Sequence, residues 1–178
     1  MANYAPSTRA RIADLIMGMH VKSTDGVLVA ANFTSTAQTE LFTIVGRIGV
    51  LQLFIELTAA ADANATVVAF NATFTTPTIA LNGLCANSAS IAALVAHQRI
   101  TLVGDAVATA ASLTDGPGVT DVTMSGNVVL GGETAAGANT AGTIGMLAST
   151  ATQAATISAT AHLYYIPLSE GAYATALV

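Results

Sequence analysis

Two segments of the chain alternate between apolar and polar side chains, and this two-residue period constrains the fold more than any other sequence feature. Thr156–Tyr165 alternates without interruption, and Ile48–Leu57 carries leucine or isoleucine at every second position from Leu51. Successive side chains of an extended strand point to opposite faces of a sheet, whereas a helix needs a period of about 3.6 residues. Each segment is therefore predicted to be a strand with one face toward a core, and Ile48–Leu57 is the strongest candidate for a central strand.

Shorter apolar runs, separated by turn residues, extend this pattern over most of the chain. Asp25-Gly26, Asn82-Gly83 and Asp115–Gly118 have the composition of tight turns. Ser90–Ala96 fits either a strand or a helical turn. The remaining predicted strands are Val27–Phe33, Leu41–Val45, Thr66–Phe74, Thr78–Leu81, Leu84–Ala86, Arg99–Gly104, Val119–Met124, Asn127–Leu130 and Thr143–Ala148. Many short strands with almost no helix predict an all-β fold, a β-sandwich or jelly-roll-like single domain over residues 36–178, without an internal sequence repeat.

The N-terminal segment, residues 1–35, differs from the rest and is predicted to be an arm. Ser7 fits the cap of a short helix whose apolar stripe is formed by residues at i, i+3, i+4 and i+7. That stripe consists of Ile12, Leu15, Ile16 and Met19. The same residues also fit an extended arm that becomes ordered on a partner. In either conformation, they are predicted to dock the chain on another protein.

A scarcity of charge limits the partners that the chain can bind. Only 8% of the 178 residues are charged and the formal net charge is −5, whereas soluble domains average about 25% charged residues. Five scattered cations cannot neutralise a row of phosphates, so nucleic-acid binding is excluded. Leu41–Leu57, the best candidate for a membrane span, is interrupted by Arg47, Gln52 and Glu56. A surface with so little charge is predicted to be covered by association with other copies, as a dimer or trimer.

No motif in the sequence indicates catalysis. The three histidines, His20, His97 and His162, lie far apart, without a second ligand at metal-binding spacing. Asp115 and Asp121 offer too few oxygen ligands for calcium. The single cysteine precludes an internal disulfide, as expected of a protein made in a reducing cytoplasm, and no basic neighbour activates its thiol. We predict that the protein is not an enzyme, with no cofactor, metal site or small-molecule substrate.

Three blocks of sequence resemble a family of auxiliary head proteins of tailed bacteriophages. They are Leu41–Gly46 leading into Val50–Leu53, then Leu84–Ala86, and finally Tyr164–Ala172, in which two tyrosines and an isoleucine precede Pro-Leu, an acidic residue and Gly-Ala. The resemblance implies a β-sandwich cement or decoration protein on the outer capsid surface, where small oligomers bridge neighbouring capsomers. It implies no catalytic residue or cofactor, and it does not extend to the first 35 or so residues.

These observations together predict a structural virion protein that is made in the host bacterial cytoplasm and binds the major capsid protein. The N-terminal stripe would dock on the capsid protein or on a sister subunit, and Thr160, His162 and Tyr164, on the polar face of the last predicted strand, would line a subunit contact. A tail or head-fibre adaptor is the alternative. A carbohydrate-binding sandwich is disfavoured because the chain contains no tryptophan to stack on sugars.

Overall fold

The computed structural model describes residues 19–34, 38–75, 78–102, 112–114, 128–153 and 156–178, and strands dominate them. The only helical element in these ranges is a 3₁₀ turn, Ala30–Asn32. The strands are β1 (Met19–Lys22), β2 (Leu28–Val29), β3 (Gln38–Val45), β4 (Ile48–Ala59), β5 (Val67–Thr75), β6 (Thr78–Gly83), β7 (Arg99–Thr101), β8 (Ser112–Thr114), β9 (Val128–Leu130), β10 (Ala141–Ser149), β11 (Ser158–Pro167) and β12 (Tyr173–Ala176). The predicted all-β class is therefore confirmed.

The strands form two antiparallel sheets. The first has the order β1-β11-β4-β7-β8, with β2 also paired to β11 and β9 also paired to β4; the second has the order β12-β3-β10-β5-β6. From β3 to β5 and from β9 to β12 the chain changes sheet at every connection. The molecule is thus an all-β sandwich of a single domain, as the sequence predicted.

The core of the sandwich takes one face from each sheet. In the first sheet, Leu53 of β4 is paired with Leu163 of β11, and both side chains are fully buried. The second sheet contributes the buried side chains Phe42, Ile44, Phe70, Ile144 and Met146. These residues occupy alternate positions of their strands, so the two-residue period of the sequence becomes the inner face of each sheet.

Two hydrogen bonds join the sheets along the edge where β1 and β12 meet. The backbone N–H of Ala174 donates to the buried Tyr165 hydroxyl, at 3.0 Å, and the N–H of Thr24 donates to the carbonyl oxygen of Val178, at 3.2 Å. Edge strands normally expose unpaired backbone groups, which invite pairing with another chain. These bonds use some of those groups and hold this side of the sandwich closed.

The strand pairings show a two-fold pattern that the sequence does not reveal. Exchanging β1 with β7, β2 with β9, β3 with β10, β4 with β11 and β5 with β12 leaves the pairing scheme of these strands unchanged. Thr43 of β3 is paired with Thr143 of β10 at the centre of one exchanged pair. Each of these pairings joins the first half of the chain to the second, so neither half can form this part of its sheets alone.

The start of the sandwich differs from the prediction. Met19 belongs to the stripe that fits either a short helix or an extended arm, and it is the first residue of β1, whose four residues alternate between half-buried and exposed. Leu28 and Phe33 are fully buried in the core. Residues 19–34 of the predicted arm therefore belong to the sandwich itself, while Ile12, Leu15 and Ile16 lie outside the described residues.

Other strand predictions differ in detail. Leu84–Ala86 forms no strand apart from a bridge at Ala86, and Ser90–Ala96 is neither a strand nor a helix, with turns at 92–93 and 96. β12 was not predicted because its small side chains give only weak alternation, and pairing with β3 defines it. Val119–Met124 lies outside the described residues.

Candidate interaction surface

The outer face of the first sheet carries a cluster of aromatic, histidine and arginine side chains. Strand register places them together, because His20 of β1 is opposite Tyr164 of β11, and His162 of β11 is opposite Phe54 of β4. Their neighbours along each strand, such as Leu163 and Leu53, point into the core. We call this cluster the ring surface: His20, Phe54, His162, Tyr164 and Arg99.

The rings of this surface lie nearly parallel and in contact. The centroids of His20 and Tyr164 are 4.2 Å apart with an 8° angle between the rings, and those of Phe54 and His162 are 4.6 Å apart with a 10° angle. The guanidinium carbon of Arg99 lies 4.7 Å from the Phe54 ring centroid, within the range of a cation–π contact. Phe54 is only 4% exposed although it faces outward, and His162, Tyr164 and Arg99 pack around it.

His20 and His162 meet edge to edge. Their centroids are 5.4 Å apart and their planes differ by 3°, while His20 Nε2 and His162 Nδ1 are 3.2 Å apart. This geometry is that of an N–H···N hydrogen bond, in which one ring nitrogen donates and the other accepts. The pair therefore cannot be doubly protonated without losing this bond.

Charged groups at the margins of the ring surface are paired. Arg99 donates from Nε and Nη2 to Glu56 Oε2, at 3.0 and 2.9 Å, and His97 Nδ1 lies 3.6 Å from the other oxygen of that carboxylate. On the opposite side, Lys22 Nζ donates to Asp25 Oδ1 at 2.7 Å. Because each ion pair is neutral, the surface offers planar rings and little net charge to a partner.

The surroundings of the two histidines lower both of their pKa values. Burial, then the neighbouring His20, lowers the pKa of His162 to about 4, with smaller contributions in the same direction from Lys22 and Arg99. Glu56 acts in the opposite direction on that pKa. Burial, followed by Lys22, also lowers the pKa of His20. The imidazole of His162 is consequently neutral at neutral pH.

We expect the free energy of unfolding to fall as the pH decreases from about 6.5 toward 4. In this range the unfolded chain binds a proton at His162, with its ordinary pKa of 6.5, whereas the folded chain does not. Below about pH 4 both states are protonated and this contribution levels off. Urea unfolding at a series of pH values measures the effect, and His162→Gln should flatten the profile in this interval. Parallel profiles for the two proteins would contradict the pKa shift.

The structure brings only some of the predicted contact residues to this surface. His162 and Tyr164 are half-buried on the outer face, where the alternation placed them. Thr160 is on the same face but is buried, because the turn before β2 covers it and the backbone N–H of Gly26 donates to its hydroxyl, at 2.9 Å. Met19 packs against the core side of the sheet. Met19, the last residue of the predicted N-terminal stripe, is therefore not part of the ring surface.

Sequence reasoning missed three members of the ring surface, namely His20, Phe54 and Arg99. His20 and His162 are 142 positions apart in the chain, so no local spacing connects them. Phe54 has an outward position in the alternation of β4, and this position was the one sequence signal that could have identified it as a surface residue. Only the pairing of β1 and β7 with the central strands assembles the cluster.

The outer face of the second sheet has a different character. Four threonines occupy paired positions across four neighbouring strands: Thr175, Thr43, Thr143 and Thr73. They are half-buried or exposed, and Glu40 is the nearest carboxylate, 3.4 Å from the Thr143 hydroxyl. This threonine row gives the second sheet an uncharged, hydroxyl-lined centre.

Within the described residues, no group of three or more His, Cys, Asp and Glu side chains converges as a metal site. The same part of the chain contains no helix with the length and hydropathy needed to cross a membrane. No protein-family model, curated protein or solved structure matches the chain.

Proposed function

We propose that the protein is a structural component of a bacteriophage virion, a cement or decoration protein that binds the outer surface of the capsid and bridges capsomers. The ring surface is the observation that carries this proposal. Tyrosine, arginine and other aromatic side chains are enriched at protein interfaces, and lysine is depleted. Here Tyr164 and Arg99 flank a packed phenylalanine, and the chain contains a single lysine.

The charge distribution also supports binding to a protein surface. The ion pairs at the margins, Arg99 with Glu56 and Lys22 with Asp25, need no new partner when the surface is covered. Burying them paired avoids the cost of desolvating an isolated charge. An acidic, lysine-poor protein is also better suited to the outside of a capsid than to its DNA-facing interior.

Stabilisation of a shell follows from repetition. A contact of modest affinity becomes effective when each oligomer engages several capsomers at once. Such a protein stabilises the mature shell only to the extent that it binds this state more tightly than the alternatives. The outer face with the rings and the outer face with the threonine row would provide separate surfaces for the capsid protein and for a sister copy.

We expect particles that lack the protein to burst at a lower temperature, and added wild-type protein to restore their stability.

Tyr164→Glu places a carboxylate in the ring surface and should weaken binding to these particles by about tenfold or more, the effect of roughly 1.4 kcal/mol at an interface. Co-sedimentation with depleted particles measures the binding. Val95→Glu, at a residue that is 56% exposed and outside the ring surface, makes the same charge change and serves as the control.

Equal thermal stability of particles with and without the protein would contradict the cement function. A low copy number in intact particles, far below that of the capsid protein, would instead favour the alternative of a tail or head-fibre adaptor. Equal binding by Tyr164→Glu and Val95→Glu would place the contact elsewhere on the molecule.

A further inference from the structure

The His20–His162 pair has a geometry that goes beyond a protein contact. Imidazole nitrogens bind zinc at about 2.0–2.1 Å, and His20 Nε2 and His162 Nδ1 are 3.2 Å apart. An ion at that distance from both nitrogens would make an N–metal–N angle of roughly 100°, which lies between the square-planar and tetrahedral values. The two nitrogens therefore already have the separation of neighbouring ligands on one ion.

We propose that His20 and His162 form a two-histidine binding site for a divalent transition-metal ion of the zinc, nickel and copper group. Imidazole is a preferred ligand for these ions, whereas calcium and magnesium prefer oxygen. The proton that one ring nitrogen now donates to the other would move through solvent to the second nitrogen of its own ring, so that both imidazoles stay neutral and each offers a lone pair to the ion. Water would fill the remaining positions of the ion. Each lone pair must also turn from the other nitrogen toward the ion, by roughly 40° for metal–nitrogen bonds of about 2.05 Å across the 3.2 Å separation.

The surrounding side chains hold the two imidazoles in place. Tyr164 stacks on His20 and Phe54 stacks on His162, so both rings are ordered before the ion binds and only their orientation has to adjust. His20 is exposed on the short edge strand β1, which gives the ion access from solvent and gives this ring freedom to rotate. The site thus has one ring packed by the sheet and one accessible ring.

The local charge does not oppose a cation. The nearest cationic side chains are Lys22, which is paired with Asp25, and Arg99, which is paired with Glu56. The third histidine, His97, contacts the Glu56 carboxylate, with Nδ1 3.6 Å from Oε1. Because the sequence contains only three histidines, His97 is a matched control for removal of an imidazole.

Isothermal titration calorimetry of the full chain with zinc chloride, repeated with nickel chloride, tests the site. We expect one ion per chain and an increase in the melting temperature with metal. His20→Gln, which changes an exposed side chain, should weaken binding by about tenfold or more and abolish the increase. His162→Gln should do the same, and His97→Gln should bind as the wild type does. The site does not depend on the proposed capsid function, because purified protein is sufficient for the measurement.

Absence of zinc and nickel binding to the wild-type chain at millimolar metal would overturn the proposal. So would unchanged affinity in His20→Gln, or an equal loss in His97→Gln, because either result places the ion away from the ring surface. Circular dichroism of each variant without metal shows whether it is folded. If His162→Gln is unfolded, the comparison of His20→Gln with His97→Gln decides the question.

Discussion

Replacing Leu163 by alanine is expected to lower the free energy of unfolding by about 2–5 kcal/mol, the range for large-to-small changes in a packed core. Leu163 is fully buried in the middle of β11, where it is paired with Val21 of β1 and Leu53 of β4. Its removal leaves a cavity between the central strands, which cannot collapse without disturbing both neighbours. Urea or thermal unfolding measures the loss.

Leu177→Ala is the control for this experiment. It deletes the same atoms from a side chain that is 48% exposed, and it leaves intact the backbone hydrogen bond from the Leu177 N–H to the carbonyl oxygen of Leu41. We expect a change within about 0.5 kcal/mol, typical of surface substitutions. Similar losses in the two variants would show that β11 is not at the centre of the core.

The second large effect is expected at Gly131, which follows β9. Its φ of +88° lies in a region that disfavours side chains, and a Cβ at this position would lie 1.9 Å from the carbonyl oxygen of Gly46. The obstacle is backbone, in the turn between β3 and β4, so no side-chain rotation relieves it. We expect Gly131→Ala to cost about 3 kcal/mol or more, which combines the conformational penalty with the displacement of packed backbone. Equilibrium unfolding in urea measures this cost.

Gly137→Ala separates these two costs. Gly137 also has a positive φ, +80°, but a Cβ there would meet no atom within 4 Å. Only the conformational penalty remains, and we expect a loss of about 1–2 kcal/mol. Equal losses at the two glycines would mean that the contact between Gly131 and Gly46 does not constrain the fold.

The interlocked halves of the sandwich explain why both substitutions should act on the whole molecule. β4 pairs with β7, β9 and β11, and β11 pairs with β1, β2 and β4, so each central strand depends on strands from the other half. Pairing between distant segments also implies slow folding, since many loops must close before the contacts form. Such a fold provides two outer faces on one core.

The class of fold and much of the core follow from the sequence alone, because alternation is a local property. A two-residue period in Ile48–Leu57 and Thr156–Tyr165 predicted two strands, with Ile48–Leu57 as the central one, and both strands are present. The buried face of β4 is as predicted from Leu53 to Leu57, but the alternation shifts at Leu51, where the pairing with β11 has a bulge. The same alternation predicted that His162 and Tyr164 point outward. Turn residues between short apolar runs were sufficient to exclude a helical domain.

Other features depended on which strands became neighbours. The stripe that ends at Met19 fits a helix when it is considered alone, but pairing with β11 draws Met19–Lys22 into the sheet. Thr160 has an outward position in the alternation, yet the turn that contains Gly26 covers it. The two-fold pattern of strand pairings is not accompanied by an internal repeat in the sequence.

The contact between His20 and His162 shows most clearly what the sequence alone does not predict. Each residue's position within its strand follows from local alternation, but their 3.2 Å separation requires β1 to lie beside β11 in one register. That register is selected by the burial of Val21 and Leu163 and by the hydrogen bonds of the strand pair, and a shift of one residue would reverse the faces. The sequence alone determined which side chains can face outward, and tertiary packing of segments far apart in the chain decided which of them meet.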